Sequence, residues 1–341
     1  MSKSVYLDWG AILSYNRLYN ILFGGRGIGK TYGLQKLLIK WFKKYKRQFI
    51  WIRRTKEEVN IAKDGFFNKV CVEFPDDVLE VRGKDIYING ELAGCFVNIG
   101  QQSANKGNSK LNNCCYIVYD EFCIDLTGRE RYVPNTMRKI NDLIETFART
   151  NEVKVFILSN YVSTQNPAFE YFSIEFKDNE SKWVDNDVYC ELLPTSPDLV
   201  AMKDKTLLGR ITKKYDKEYY NYNVLNKSLT DDKALIKKKP NNATQCMTLT
   251  TSKRDIFIFR TRNKLYGGYD FYACSKGQIE HAVHYTFDIE KASESVYFVD
   301  KTTISTPVKE LANNYKRGRL FFENQIIKNE LTENLKTFIT Y

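Results

Sequence analysis

Short, mainly apolar runs alternate with stretches whose apolar residues recur every three or four positions over roughly the first half of the chain. Leu18 to Phe23, Gln48 to Ile52, Cys114 to Tyr119 and Val153 to Leu158 have the length and β-former content of strands covered on both faces. Tyr32 to Lys44 carries Leu34, Leu37, Leu38, Trp41 and Phe42 on one side, and Met137 to Arg149 carries Ile140, Leu143, Ile144 and Phe147. Both read as helices. Strands and helices in this order predict a doubly wound α/β domain with a parallel sheet. Asp85 to Gly90 interrupts it as a hairpin arm, because Asn89-Gly90 favours a tight turn between antiparallel strands.

The pattern changes near Ala243. Ile256 to Arg260, Tyr266 to Tyr272 and Ser295 to Val299 read as successive strands of a meander, followed by helices over about 307–315 and 323–338. At 341 residues the chain has length for two cores. The expected division is an α/β domain over 1–195, a linker over 196–240 and a smaller α+β domain over 241–341.

Chemistry enters at the first strand–helix junction. Gly24-Gly25-Arg26-Gly27-Ile28-Gly29-Lys30-Thr31 is a complete G-x-x-x-x-G-K-[ST] phosphate loop in the strand–loop–helix setting the motif requires. The glycines let backbone N–H groups point into one concavity, Lys30 brings a charge to the β/γ oxygens, and the Thr31 hydroxyl can ligate Mg²⁺. Asp120 and Glu121 close the Cys114–Tyr119 strand, so both carboxylates emerge beside that loop. Asp120 would hold Mg²⁺, and Glu121 would orient and polarise the attacking water. In NTPases with an acid after the metal-binding Asp, a further strand is inserted between the two motif strands and carries a polar tip. Asn160, after Val153–Leu158, is either that tip or an ordinary strand-end turn. Arg149 is either a finger for a neighbour's nucleotide or a cation at a helix C-terminus.

The net charge of +11, with 14% aromatic residues, describes a folded basic protein suited to a polyanionic partner. Nine basic residues and no acidic one lie between Lys36 and Lys56, among them Arg53, Arg54 and Lys56. Ser196 to Pro240 holds eleven Lys or Arg against six Asp or Glu. Either stretch could contact phosphate backbone or simply be a solvated face. Eight cysteines without a C-x-x-C pair point to a reduced, cytoplasmic protein, and His281 and His284 lack partners for a metal site. No signal peptide and no apolar run of membrane-spanning length is expected.

Taken with GGRGIGKT at 24–31, FIWIRR at 49–54, YIVYDEF at 116–122, YVPN at 132–135, FILSN at 156–160 and RGRLFFENQII at 317–327, the chain resembles the DNA-packaging ATPase of small protein-primed tailed phages, the salasmavirus type. The resemblance spans nearly the whole chain. It implies a P-loop NTPase domain of the additional-strand, catalytic-Glu class, followed by a domain like a ribonuclease H-type nuclease that has lost its acids. Asp255, Asp270, Asp288 and Asp300 assemble no metal triad in the sequence, so no nuclease activity is expected. It also implies a homomeric, pentameric ring at the portal vertex of a procapsid in the infected host cell, threading double-stranded DNA inward with ATP and Mg²⁺. The portal and, in some members, a packaging RNA are partners. Lys30, Thr31, Asp120 and Glu121 match the family's positions directly, Lys56 keeps the spacing after Arg53-Arg54 in the DNA-contacting segment, and Lys106 and Arg149 are the nearest matches to residues acting on an adjacent subunit's ATP. The competing reading is an ATP-switched nucleic-acid-binding or loader protein that does not translocate processively. A small-molecule kinase or GTPase fits less well, since there is no N-K-x-D guanine motif and no need for such a basic surplus.

Overall fold

The computed structural model describes residues 6–100, 110–124, 131–149, 151–160, 163, 166–176, 180–225, 235–263, 267–279, 282–299 and 306–335. Two compact units result, Met1–Asp231 and Asp232–Tyr341.

The first unit runs α1 (Trp9–Ser14), β1 (Tyr19–Gly24), α2 (Lys30–Tyr45), β2 (Gln48–Arg53), α3 (Lys56–Asp64), β3 (Leu79–Arg82), β4 (Asp85–Ile88), β5 (Glu91–Asn98), β6 (Cys114–Asp120), α4 (Thr136–Leu143), β7 (Lys154–Ser159), α5 (Pro167–Phe172), β8 (Lys182–Val184) and β9 (Val188–Leu193). The nine strands form one sheet in the order β3-β4-β5-β2-β6-β7-β1-β9-β8. Every pairing from β5 across to β9 is parallel, whereas β3, β4 and β8 join antiparallel at the two edges. The β4–β5 turn is Asn89-Gly90, with φ of 52° and 79°, the pair of left-handed residues that a tight hairpin turn demands.

Alternate residues of each central strand feed opposite cores. Leu22, Trp51, Val118 and Phe156 pack on one face with Leu34 and Leu38 of α2, while Ile21, Ile50, Tyr119 and Ile157 pack on the other with Ile140 of α4. Because both faces are buried, the strands read as apolar runs rather than alternations. The helix expected over Met137–Arg149 continues past α4 as one wide turn, Ile144–Ala148, and stops at Arg149, where φ is 51°.

Residues 196–223, expected as part of a linker, instead form three consecutive helices of this unit: α6 (Pro197–Lys205), α7 (Leu207–Tyr215) and α8 (Lys217–Asn223). The physical reason is capping. The side chains of Ser196, Thr206 and Asp216 each accept a first-turn backbone N–H, from Leu199, Gly209 and Tyr219 respectively, so every helix has its own start signal. Leu199, Thr212 and Tyr220 are buried while most of the lysines face solvent, which is why the stretch reads as a charged connector.

The second unit contains β10 (Thr244–Thr250), β11 (Asp255–Asn263), β12 (Gly268–Cys274), β13 (Val283–Thr286), β14 (Val296–Phe298), α9 (Thr306–Lys316), β15 (Leu320–Phe322) and α10 (Gln325–Leu335). Its sheet order is β14-β13-β10-β11-β12-β15. Of the three strands expected as a meander, the first two are β11 and β12, which pair antiparallel beside β10, whereas the third, around Ser295–Val299, is β14 and joins by parallel pairing, as do β13 and β15. Leu249, Ile258, Phe271 and Phe322 form its core with Leu311 of α9 and Leu331 of α10. The unit is therefore mixed α+β. Among the described residues no helix is long and apolar enough to cross a membrane.

Candidate active site

The loop between β1 and α2 turns through Gly27 and Gly29, whose φ values of 84° and 89° strain any residue with a Cβ. Gly29 is the residue before α2 and has no side chain to cap it, so the first-turn N–H groups stay open to an anion at the positive end of a 16-residue helix. The Lys30 ammonium folds back and donates to the carbonyl oxygens of Gly24 (2.7 Å) and Gly25 (3.0 Å). Burial lowers its pKa to about 8; Asp120 opposes the shift, and Lys203 and Arg26 add to it.

Placing β7 between β1 and β6 brings the C-terminal ends of the two motif strands to one sheet edge. There the Thr31 hydroxyl donates to Asp120 Oδ1 at 3.1 Å, with Oδ2 at 3.3 Å. Asp120 is 4% exposed, and burial pushes its carboxyl above the usual range against the pull of Arg53. The next residue, Glu121, adopts φ 58°, a left-handed conformation that a glutamate rarely takes and that costs on the order of 1–3 kcal/mol. That turn points its N–H back at Asp120 Oδ1 (3.1 Å) and sends its carboxylate outward. Asn160 follows Ser159, whose hydroxyl accepts the Cys123 N–H at 2.9 Å, so the tip of β7 is tied to the segment that carries Glu121.

Arg53 corrects the sequence reading. Expected at a DNA-contacting surface, its guanidinium bridges the two motif acids instead, 3.2 Å from Asp120 Oδ2 and 2.6 Å from Glu121 Oε2, with the side chain 11% exposed. Two adjacent carboxylates at the end of a buried strand need a cation, and β2, which neighbours β6, ends at the right level to supply one. Arg54 is also committed, to Glu58 at 2.6 Å in the first turn of α3. Lys56 remains exposed and makes no ion pair among the described residues. It lines a cleft of about 550 Å³ together with Arg54, Asn98 and Arg131. Arg131 was not singled out from the sequence because nothing local distinguishes it.

Arg149 is exposed and makes no ion pair among the described residues. It lies at the opposite edge of the sheet from the phosphate loop. The Asn151 amide donates to the carbonyl of Cys114, the first residue of β6, and Asp120 ends that strand six residues on. At about 3.3 Å per residue this is roughly 20 Å, beyond the reach of an arginine side chain. Lys106 lies outside the described residues.

In the second unit the candidate acids are engaged separately. Asp255 accepts from the Thr250 hydroxyl, Asp270 pairs with Arg319 at 3.1 Å, and Asp288 accepts the Glu290 N–H; Asp300 lies outside the described residues. The His284 Nε2 sits 2.6 Å from the Thr250 hydroxyl, and His281 is outside the described residues. No trio of His, Cys, Asp and Glu side chains suited to a metal is found among the described residues.

The donor set at the Thr31–Asp120 pair fits a hydrated magnesium–nucleotide complex. One hydroxyl and one carboxylate, beside unclaimed helix N–H groups and a lysine, are what such a complex takes from a protein, because Mg²⁺ keeps waters and binds phosphate oxygens for the rest. A dedicated cluster of acids is not required.

A family model described as Podovirus DNA encapsidation protein (Gp16) matches residues 1–338. A DNA packaging protein of Bacillus phage phi29 is 31% identical over 331 residues, 96% of each chain. Among solved structures, a chain of the bacteriophage phi29 viral genome packaging motor assembly superposes with a TM-score of 0.78 at 27% identity, over 98% of this chain and 100% of that one. The N-terminal domain of the phi29 DNA packaging ATPase matches with a TM-score of 0.52 at 34% identity, over 57% of this chain and 99% of that one.

Proposed function

The chain belongs to the podovirus DNA encapsidation protein family, and from that premise we propose that it is the ATPase of a motor that drives double-stranded DNA into a procapsid as a homomeric ring. The observation that carries the reading is the convergence of Lys30, Thr31, Asp120 and Glu121 at one sheet edge. The likeness to a chain of a packaging motor assembly supports a ring, a portal partner and a place at the portal vertex in the infected cell. A pentamer and a packaging RNA are the finer form of the same proposal, and the separate engagement of Asp255, Asp270 and Asp288 supports a second unit without nuclease activity.

Bound ATP with Mg²⁺ supplies the scissile anhydride and the cation that neutralises it. The open N–H groups at the start of α2 and the Lys30 ammonium bind the phosphates, Thr31 and Asp120 hold the metal, and Asn160 and Glu121 position the attacking water. Glu121 is the only carboxylate of the four-residue cluster directed outward, so it can reach a water that Asp120 cannot. The test is whether hydrolysis is stimulated by double-stranded DNA and continues over many turnovers. A single round per chain, or indifference to DNA, would replace the motor with an ATP-dependent switch.

Lys30→Ala is expected to weaken ATP binding itself. The same lysine gives binding a pH dependence with a definite sign. Its pKa of about 8 must rise when phosphates surround it, so between about pH 8 and the ordinary lysine range ATP binding takes up a proton and weakens as pH increases. Without nucleotide the unfolded chain holds that proton more tightly, so this group makes folding stability rise over the same interval. Calorimetry in buffers of different ionisation enthalpy reads the proton; no uptake near pH 9 would contradict the assignment.

DNA affinity should fall steeply with salt and show little sequence preference, since Lys and Arg contacts to phosphate release counterions without reading bases. With Arg53 and Arg54 held by acids, Lys56 is the cation of that segment left to act. Lys56→Ala should lower the slope of log affinity against log salt by about one. An unchanged slope would remove Lys56 from the DNA contact.

A further inference from the structure

Lys203 lies in the last turn of α6, about 175 residues beyond the phosphate loop, yet its Cε stands 4.0 Å from where a Cβ on Gly27 would be. Its half-buried ammonium donates to the carbonyl oxygen of Asn223, the last residue of α8, at 2.6 Å. The Lys203 carbonyl accepts both the Thr206 N–H (3.0 Å) and the Thr206 hydroxyl (2.7 Å). A Cβ on Gly209 of α7 would come within 2.1 Å of that same oxygen. The lysine is thus the point where α6, α7 and α8 are held together, and that point faces the phosphate loop.

Charge gives the arrangement a direction. Burial lowers the pKa of both Lys30 and Lys203, and repulsion among Arg26, Lys30 and Lys203 adds to it. Neither Arg26 nor Lys203 makes an ion pair among the described residues, and the nearby carboxylate, Asp120, is already paired with Arg53. Three cations around one concavity are stabilised by a polyanion.

Resting on the nucleotide reading above, we propose that Lys203 is a second phosphate-binding lysine, contributed by the three-helix segment, which trades the Asn223 carbonyl for a phosphate oxygen of bound nucleoside triphosphate and so transmits occupancy of the site to α8. An ammonium has three donors and a flexible stem, so the exchange requires no movement of the backbone of α6. Losing the Asn223 tie frees the C-terminal end of α8.

The full-length chain tests this by equilibrium binding of ATP and AMP, together with amide hydrogen exchange. Lys203→Met should weaken ATP binding by about 10- to 100-fold, the range for a lost charge-assisted hydrogen bond, while AMP, which lacks the β and γ phosphates, is little affected. Lys203→Arg should restore most of the ATP affinity. In the wild-type chain ATP should speed exchange over Lys217–Asn223, and in Lys203→Met it should not. Equal losses for ATP and AMP would mean a merely structural lysine, and unchanged ATP affinity would mean no contact; either overturns the proposal. Should Lys203→Met fail to fold, Lys203→Gln and the wild-type exchange pattern decide, an unresponsive α8 counting against it. Lys30→Ala separates the two readings: if it binds ATP as the wild type does, the nucleotide site itself is wrong.

Discussion

Glu121→Gln is expected to lower ATP turnover by about 10²- to 10⁴-fold while ATP still binds, the range for removing a positioned general base. The amide keeps the size of the side chain and one oxygen that Arg53 can hold, but it cannot polarise water as a carboxylate does. Binding should survive because the groups aimed at the phosphates, Lys30 and the N–H groups at the start of α2, do not depend on Glu121. The backbone supports this separation, since Glu121 meets Asp120 Oδ1 through its backbone N–H, which the substitution keeps, and its outward side chain takes no part in the Thr31–Asp120 contact. Burst-phase and steady-state phosphate release, read with retained binding of labelled ATP, measure the split. Wild-type turnover would remove Glu121 from the chemistry, and lost binding would make it part of the phosphate cradle instead.

The first unit was legible in the sequence because its signals are local. A parallel strand buried on both faces must be apolar almost throughout, so β1, β2, β6 and β7 stood out, and the phosphate loop fixed which strand ends converge. The Asn89-Gly90 turn was equally direct. The parts that were not legible depend on non-local neighbours. Arg53 looks like any exposed arginine in a basic run, and only the pairing of β2 with β6 puts it between Asp120 and Glu121. Strands of three or four residues, such as β13 and β15, carry too little pattern to be separated from loop, and their parallel pairing rests on crossovers the sequence does not mark. In α6, α7 and α8 the lysines mask caps that were present throughout, at Ser196, Thr206 and Asp216. Lys203 is one of many lysines there until the fold sets it against Gly27.

The same geometry bears on Arg149, whose removal is expected to cost about a thousandfold in turnover if it stabilises charge on a neighbour's γ-phosphate. Within its own chain it sits at the N-terminal edge of the strands, roughly 20 Å from the edge that holds Asp120, so it cannot act there without the sheet being rebuilt. A closed ring of identical chains joins two different faces at each interface, which would set one chain's far edge against the next chain's phosphate loop. An exposed guanidinium on a residue held at φ 51° immediately after the wide helical turn is suited to such a contact because no acid among the described residues pairs with it. Mixing decides the matter. Arg149→Ala chains and Glu121→Gln chains, each nearly inactive alone, should regain hydrolysis when co-assembled, since some interfaces then pair an intact Glu121 with an intact Arg149 from the adjacent subunit. The recovered rate should peak at intermediate ratios and vanish at either extreme. Rings confirmed to contain both chains yet silent at every ratio would place Arg149 outside the trans-acting chemistry.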